Sequence, residues 1–328
     1  MERGVTILKD DFSEEWLPIF RESGLNTLSL HFIPKEENTE TFLAWLEQEN
    51  TRRLTDVFTD AGVSVNYKLH ALEWLLPRNL FHKNAEYFRF DGVRRVNDCN
   101  MCVSSSAALE IVSENAYLLA KKLRQPSSDY SIWADDGTNN ICQCEKCRNL
   151  SASDQVMLIT NAIGKGLKAY DSNAKISFLA YADANALPAI KPEENVFLEV
   201  APFYRNLKEP LEGESEKNKF YAGFLKDLLA IFSVKTVKVL EYWLDVSLAC
   251  GWERSAMKEL ETEKQIVLRD VEFYTGMGIE KINTFAAFID KEYFHRYGKR
   301  KITELCLVIA GKEKGCRNVK KAKNFRSF

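Results

Sequence analysis

The segment Tyr130-Ser-Ile-Trp-Ala-Asp-Asp-Gly137 is a short apolar run halted by two acids and a glycine. Its first five residues have the length and aromatic or β-branched content of a strand, and the stop is turn chemistry. Upstream, Ala108, Val112, Ala116, Leu119 and Leu123 fall at three- and four-residue spacing, the stripe of a helix that buries one face. Downstream, Ser151 to Asp154 reads as a capping box opening the run Val156-Met-Leu-Ile. The order is helix, strand, helix.

The same alternation extends in both directions. Strand-like runs precede it at Val5–Leu8, Thr27–Phe32 and Val63–Leu69, and follow it at Ile176–Ala182, Val196–Ala201, Val237–Trp243 and Ile282–Phe288. Between the fifth and sixth runs lies only a short Pro-containing stretch, Leu187 to Pro192, which predicts that one outer helix is missing or reduced. Strand–helix alternation implies a parallel sheet. Eight units without a Gly-rich phosphate loop predict closure into a (β/α)8 TIM barrel of the α/β class, rather than an open doubly wound sheet. The barrel is expected to fill residues 1–311 as a single domain, with 312–328 as a basic, frayed tail. Long connections are expected after strands three and four. The first of these, Ala71 to Cys102, is of a length that compact domains reserve for function.

Composition narrows the partners. With 328 residues, 45% hydrophobic, 28% charged and a net charge of −2, the chain resembles a soluble globular protein. It lacks the basic excess of a nucleic-acid binder. No apolar run reaches the ~20 residues of a membrane span, and Met1 to Asp10 lacks a signal-peptide core. The expectation is a cytoplasmic protein, or a periplasmic or extracellular one if the sequence is a piece of an exported chain.

Side chains on a strand alternate faces, and a barrel strand's outer face packs on helices, so the polar parity should point inward. That rule sends Ser29 and His31 inward on strand two, and Asn66, Lys68 and His70 on strand three. It selects Ser177, Tyr181 and Asp183 on strand five, Glu199 on strand six, and Glu241, Trp243 and Asp245 on strand seven. Their convergence on one rim marks a site. The adjacent acids Asp135 and Asp136 close strand four; mutual repulsion should let one keep a proton near neutrality. Paired carboxyls in those two states are what glycosidic cleavage needs. His31, His70, Tyr181, Asp183, Glu199 and Asp245 are candidate sugar-binding groups, with Trp133 and Trp243 as stacking surfaces beside Trp74 and Tyr242. The expected partner is a carbohydrate.

Five of eight cysteines crowd between Cys99 and Cys147. Cys142, Cys144 and Cys147 follow the Asp-Asp loop, and Cys99 or Cys102, at the end of the strand-three loop, supplies a fourth thiol. Cys102, Cys142, Cys144 and Cys147 would hold a structural zinc tetrahedrally and pin the two loops together. In an oxidising compartment the same thiols would pair as disulfides. No cofactor is expected for catalysis.

The motifs Phe81-His-Lys-Asn-Ala-Glu-Tyr-Phe-Arg-Phe90, Asn100-Met-Cys-Val-Ser104, Ile132-Trp-Ala-Asp-Asp-Gly137, Cys142-Gln-Cys-Glu-Lys-Cys147, Ile176-Ser-Phe-Leu-Ala-Tyr-Ala-Asp183 and Val239-Leu-Glu-Tyr-Trp-Leu-Asp245 resemble a bacterial family of glycoside-hydrolase-like barrels. That family is filed as a domain of unknown function, with members labelled α-glucuronidase-like or hexosaminidase-like. The resemblance covers roughly residues 4 to 300 and implies a polysaccharide-related role. The paired aspartates also look like those of O-GlcNAcase-type enzymes, in which the substrate's own acetamido group is the nucleophile. By that likeness Asp135 orients the acetamide and Asp136 is the general acid; a tight pocket beside Asp135, with Tyr181 near it, would favour that mechanism. An ordinary retaining mechanism would pair a strand-four carboxylate with Glu241. The leading reading is therefore a glycoside hydrolase. The alternatives are a non-catalytic carbohydrate-binding barrel and a metal-dependent hydrolase using the cysteine block.

Overall fold

In the computed structural model, which describes residues 1–34 and 36–313, eight parallel strands close into a barrel in sequence order. They are β1 (Glu2–Leu8), β2 (Thr27–His31), β3 (Ser64–His70), β4 (Asp129–Trp133), β5 (Lys175–Ala180), β6 (Val196–Val200), β7 (Lys238–Glu241) and β8 (Lys281–Phe285). All eight expected strands are present. Of the expected tail, 314–328 lie outside the described residues. Among the described residues no helix is long and apolar enough to cross a membrane.

The helices form the outer ring: α1 (Trp16–Ser23), α2 (Thr39–Leu46), α3 (Glu49–Asp60), α4 (Leu72–Leu75), α5 (Ser106–Leu123), α6 (Ala152–Tyr170), α7 (Glu216–Leu228), α8 (Lys264–Gly276), α9 (Lys291–Tyr297) and α10 (Arg300–Ile309). The stripe read from sequence on α5 is buried. Ser151 and Asp154 form the capping box that starts α6. Helices α5 and α6 lie so close that a Cβ on Gly166 would sit 1.9 Å from the Ser113 carbonyl oxygen, so only glycine fits there. No helix joins β5 to β6. The Asp154 carboxylate instead accepts the Ala189 and Ile190 N–H groups (2.6 and 2.9 Å), which staples the connection to α6.

Polar groups fill much of the barrel interior. At the amino-terminal end Lys238 meets Glu2 (3.1 Å) and Asp129 (3.3 Å), and Lys281 also reaches Asp129 (2.9 Å). Higher up, Lys68 pairs with Glu199, which also accepts the Ser131 hydroxyl at 2.8 Å. The buried charges among them, Lys68, Glu199 and Lys238, each have a partner, as burial demands.

Candidate active site

The carboxyl ends of the strands surround a cavity of about 330 Å³. Each strand contributes a side chain to its wall. Leu8, His31, His70 and Trp133 come from β1 to β4; Tyr181, Phe203, Tyr242 and Phe285 come from the ends of β5 to β8. Six of these rings make a closed circuit. From His31 through His70, Tyr181, Phe203, Tyr242 and Phe285 back to His31, neighbouring centroids lie 5.0 to 6.3 Å apart. Trp133 adds its face 5.1 Å from His70 and is fixed by an indole N–H···Oγ bond to Ser177 of 2.8 Å.

Hydrogen bonds fix which ring nitrogen donates in the two histidines. Each places Nδ1 at 2.6 Å from a backbone carbonyl, Lys68 for His31 and Ala134 for His70. A carbonyl only accepts, so Nδ1 carries the proton. Burial, and then neighbouring His70, lower His31 to about 4. His31 is therefore neutral at pH 7, and its Nε2 is an acceptor. Burial, followed by the Asp136 carboxylate, pushes the Tyr181 phenol up. Burial, with Tyr181, Asp245 and Asp136 nearby, does the same to Tyr242. Both phenols remain donors.

Two carboxyls enter the cavity, Asp136 after β4 and Asp245 after β7. Strands four and seven are three apart around the barrel, so the two acids reach the cavity from different parts of its wall. Asp245 Oδ1 accepts the Ser247 N–H (2.9 Å) and hydroxyl (2.6 Å), whereas Oδ2 is buried without a partner. Burial raises this carboxyl to about 6, although the Ser247 bonds pull it down.

Adjacent in sequence, Asp135 and Asp136 are separated in role. Asp135 Oδ1 accepts the Glu73 N–H (3.0 Å), and Oδ2 takes the Arg78 guanidinium and the Asn100 N–H (2.7 Å). With both oxygens engaged it braces the loops. It also lines, with Asp183, a side recess of about 40 Å³ that shares His70, Trp133, Asp136 and Tyr181 with the main cavity. Asp183 accepts the Asn139 N–H and borders a polar cleft with Arg89 and Arg148, outside the main cavity.

Three expected site residues lie elsewhere. Glu199 is fully buried in the barrel interior and neutralises Lys68. On β7, Leu240 and Tyr242 line the cavity, so Glu241 and Trp243 point outward. There Glu241 accepts the Tyr274 hydroxyl from α8 and lies 3.5 Å from Arg205, while Trp243 Nε1 donates to Asp270 at 3.0 Å. Arg205 also pairs with Asp270. The premise that an outer strand face is apolar fails here, because a buried ionic cluster seals β7 against α8. Trp74 lies outside the cavity as well, donating to Glu40 at 2.7 Å.

The parity rule passed over Tyr242, Phe203, Phe285 and Trp252. Trp252 stands at the rim, 42% exposed, with φ +64°. A bulky residue in that region is strained, and Ala182, beside Tyr181, is too (φ +49°). Such strain gathers at functional sites.

Four thiols meet behind the Asp-Asp loop. The Sγ atoms of Cys102, Cys142, Cys144 and Cys147 all lie within 4.8 Å of one another. Cys99 is outside this group.

A closed parallel barrel with its cavity at the carboxyl ends of the strands is the (β/α)8 architecture, whose active sites lie at that face. The chain belongs to the family described as a domain of unknown function, DUF4838, whose profile matches residues 25–250. Among solved structures, it is similar to a β-N-acetylhexosaminidase from Bacteroides fragilis, with 12% identity and TM-score 0.53 over 94% of this chain and 66% of that one. It thus spans just under two thirds of that enzyme. A family 5 glycoside hydrolase from Prevotella bryantii, in complex with a xyloglucan tetradecasaccharide, is 9% identical with TM-score 0.51, covering 92% and 86%. A tri-modular family 5 endo-β-1,4-glucanase from Bacillus licheniformis, complexed with cellotetraose, is 9% identical with TM-score 0.52, covering 95% and 59%. At these identities the likeness is one of fold. No curated protein matches the sequence significantly.

Proposed function

We propose that the protein is a glycoside hydrolase removing one terminal sugar, with Asp245 as general acid and Asp136 as its partner carboxylate. The observation that carries this is the convergence of Asp136 and Asp245 on one small aromatic cavity. Asp245, raised to about 6, can hold a proton near neutrality and deliver it to the leaving oxygen. Asp136, from the loop after β4, stabilises positive charge at the anomeric carbon. The rings offer stacking faces, and neutral His31 offers an acceptor for hydroxyls. The cavity volume lies near the lower end of ligand pockets, roughly 300–1,000 Å³, which favours a single sugar over a polysaccharide run.

Two features favour an uncharged, acetamido-bearing sugar. The recess beside Asp136 and Tyr181 would receive a small substituent of the ring. Lys68, the cation among the described cavity-lining residues, is already paired with Glu199, which gives a uronate carboxylate no charge partner there.

Aryl N-acetylhexosaminides, glucosides and glucuronides test the reading. Turnover of an N-acetylhexosaminide should fall by about 10²–10⁴ in Asp245→Asn, most steeply for poor leaving groups, because a general acid contributes that much. Asp136→Asn should lose turnover on good and poor leaving groups alike. Binding of every candidate sugar without turnover would instead establish a lectin-like barrel. A leaving-group dependence confined to Asp136→Asn would exchange the two roles.

A further inference from the structure

We propose that Cys102, Cys142, Cys144 and Cys147 hold one zinc ion, and that this ion fastens the loop after β3 to the loop after β4. A tetrahedral set of four sulfurs at the Zn–S distance of about 2.3 Å has S···S edges of about 3.8 Å. Cys102 Sγ lies 3.7 Å from Cys144 Sγ and 3.8 Å from Cys147 Sγ. The thiols therefore stand at the spacing of ligands sharing one small ion.

Their surroundings suit sulfur that carries negative charge. The Phe90 N–H donates to Cys142 Sγ (3.3 Å), and Arg95 approaches the same sulfur at 3.7 Å. Arg95 is fixed by the Phe88 carbonyl (2.7 Å), so its cation stays beside the cluster. The Cys147 and Arg148 N–H groups both donate to the Cys144 carbonyl (2.9 and 2.8 Å), folding Cys144 to Cys147 into a tight turn that aims both thiols the same way. With four protein sulfurs the coordination shell is closed, which makes the ion structural.

The ion's leverage comes from what lies two residues away on either loop. Asn100, two positions before Cys102, donates its backbone N–H to Asp135 and its side-chain amide to the Asn140 carbonyl (3.1 Å). Asn140, two before Cys142, donates back to the Asp135 and Asp136 carbonyls (3.1 and 3.3 Å). The zinc closes one end of a clasp whose other end sets the backbone of Asp136. This inference stands apart from the chemistry assigned to the cavity, and its test requires no turnover.

The full chain, purified without chelators or immobilised metal, should contain about one zinc per molecule, with an X-ray absorption shell of four sulfurs near 2.3 Å. Cys99→Ser and Cys250→Ser should keep that zinc, and Cys144→Ser should lose it. Arg95→Ala, which keeps all four ligands, should bind zinc about 10–100-fold more weakly in chelator competition, the usual loss for an outer-shell partner. Chelation should speed amide exchange at residues 98–102 and 135–144 while β1 and β8 remain protected. A chain without zinc, a shell containing nitrogen or oxygen ligands, or equal zinc loss in Cys99→Ser would overturn the site. Uniform exchange on chelation would overturn its fastening role.

Discussion

Asp245 should cost the protein stability, and removing its charge should return it. Burial raises this carboxyl from 3.8 to about 6. At about 1.36 kcal/mol per pH unit of displacement, a rise of about 2.2 corresponds to roughly 3 kcal/mol. The folded state holds the proton more tightly than the unfolded chain. The contribution is therefore fully present below pH 3.8 and is lost as pH climbs through about 6. Asp245→Asn cannot ionise, and its amide oxygen can still accept both Ser247 bonds. The variant should be more stable than wild type at pH 8, by up to about 3 kcal/mol, with the gap closing toward pH 4. Glu241, which burial lifts to about 7, also titrates here, but it is common to both proteins and cancels. Urea unfolding at pH 4, 6 and 8, followed by tryptophan fluorescence, reads the difference directly. A variant less stable than wild type at pH 8, or a gap independent of pH, would refute the reasoning.

Four further outcomes follow from the packing. Glu199→Gln leaves Lys68 buried without its counter-charge and should cost about 3–5 kcal/mol in urea unfolding, whereas Lys68→Met with Glu199→Leu should cost far less. Burial alone would raise Glu199, but Lys68, Lys238 and Ser131 reverse it to a value below 4.5, so in wild type its stabilisation should fade as acid takes the pH below that value. Glu241→Gln should leave kcat/KM on a turned-over glycoside unchanged, because the residue lies outside the barrel wall; a loss like that of Asp136→Asn would return Glu241 to the site. Ser177→Ala strands the Trp133 indole N–H and should cost about 1–3 kcal/mol by thermal or urea denaturation.

The barrel was legible because its signals are local. Each strand is a short apolar run, and the capping box at Ser151 and the stripe on α5 mark helices within a few residues. The missing helix after β5 was visible in the same way. The lining of the cavity was legible only where one parity of a strand carried all the polar groups, as with His31 on β2 and His70 on β3. On β7 the two parities compete, Lys238 on one and Glu241 on the other, and only three-dimensional pairing decides between them. Arg205 arrives from the loop after β6, and Asp270 and Tyr274 arrive from α8, to make an outward carboxyl tolerable. Nothing near Glu241 in sequence announces those partners. The engagement of Asp135 was hidden for a similar reason, since Arg78 and Asn100 claim its carboxylate from a distant loop.

The wall of the cavity draws side chains from all eight strands or the loops that follow them, and this has a bearing on how such a protein can change. The lining groups hang from strand ends or the loops just beyond them, while the ladder of backbone bonds beneath is indifferent to which side chain is displayed. Descendants could therefore revise the wall one panel at a time, each revision screened by selection without jeopardising the frame. Separately editable positions around the rim make the pocket a combination lock, and kindred barrels could read different sugars by resetting single dials.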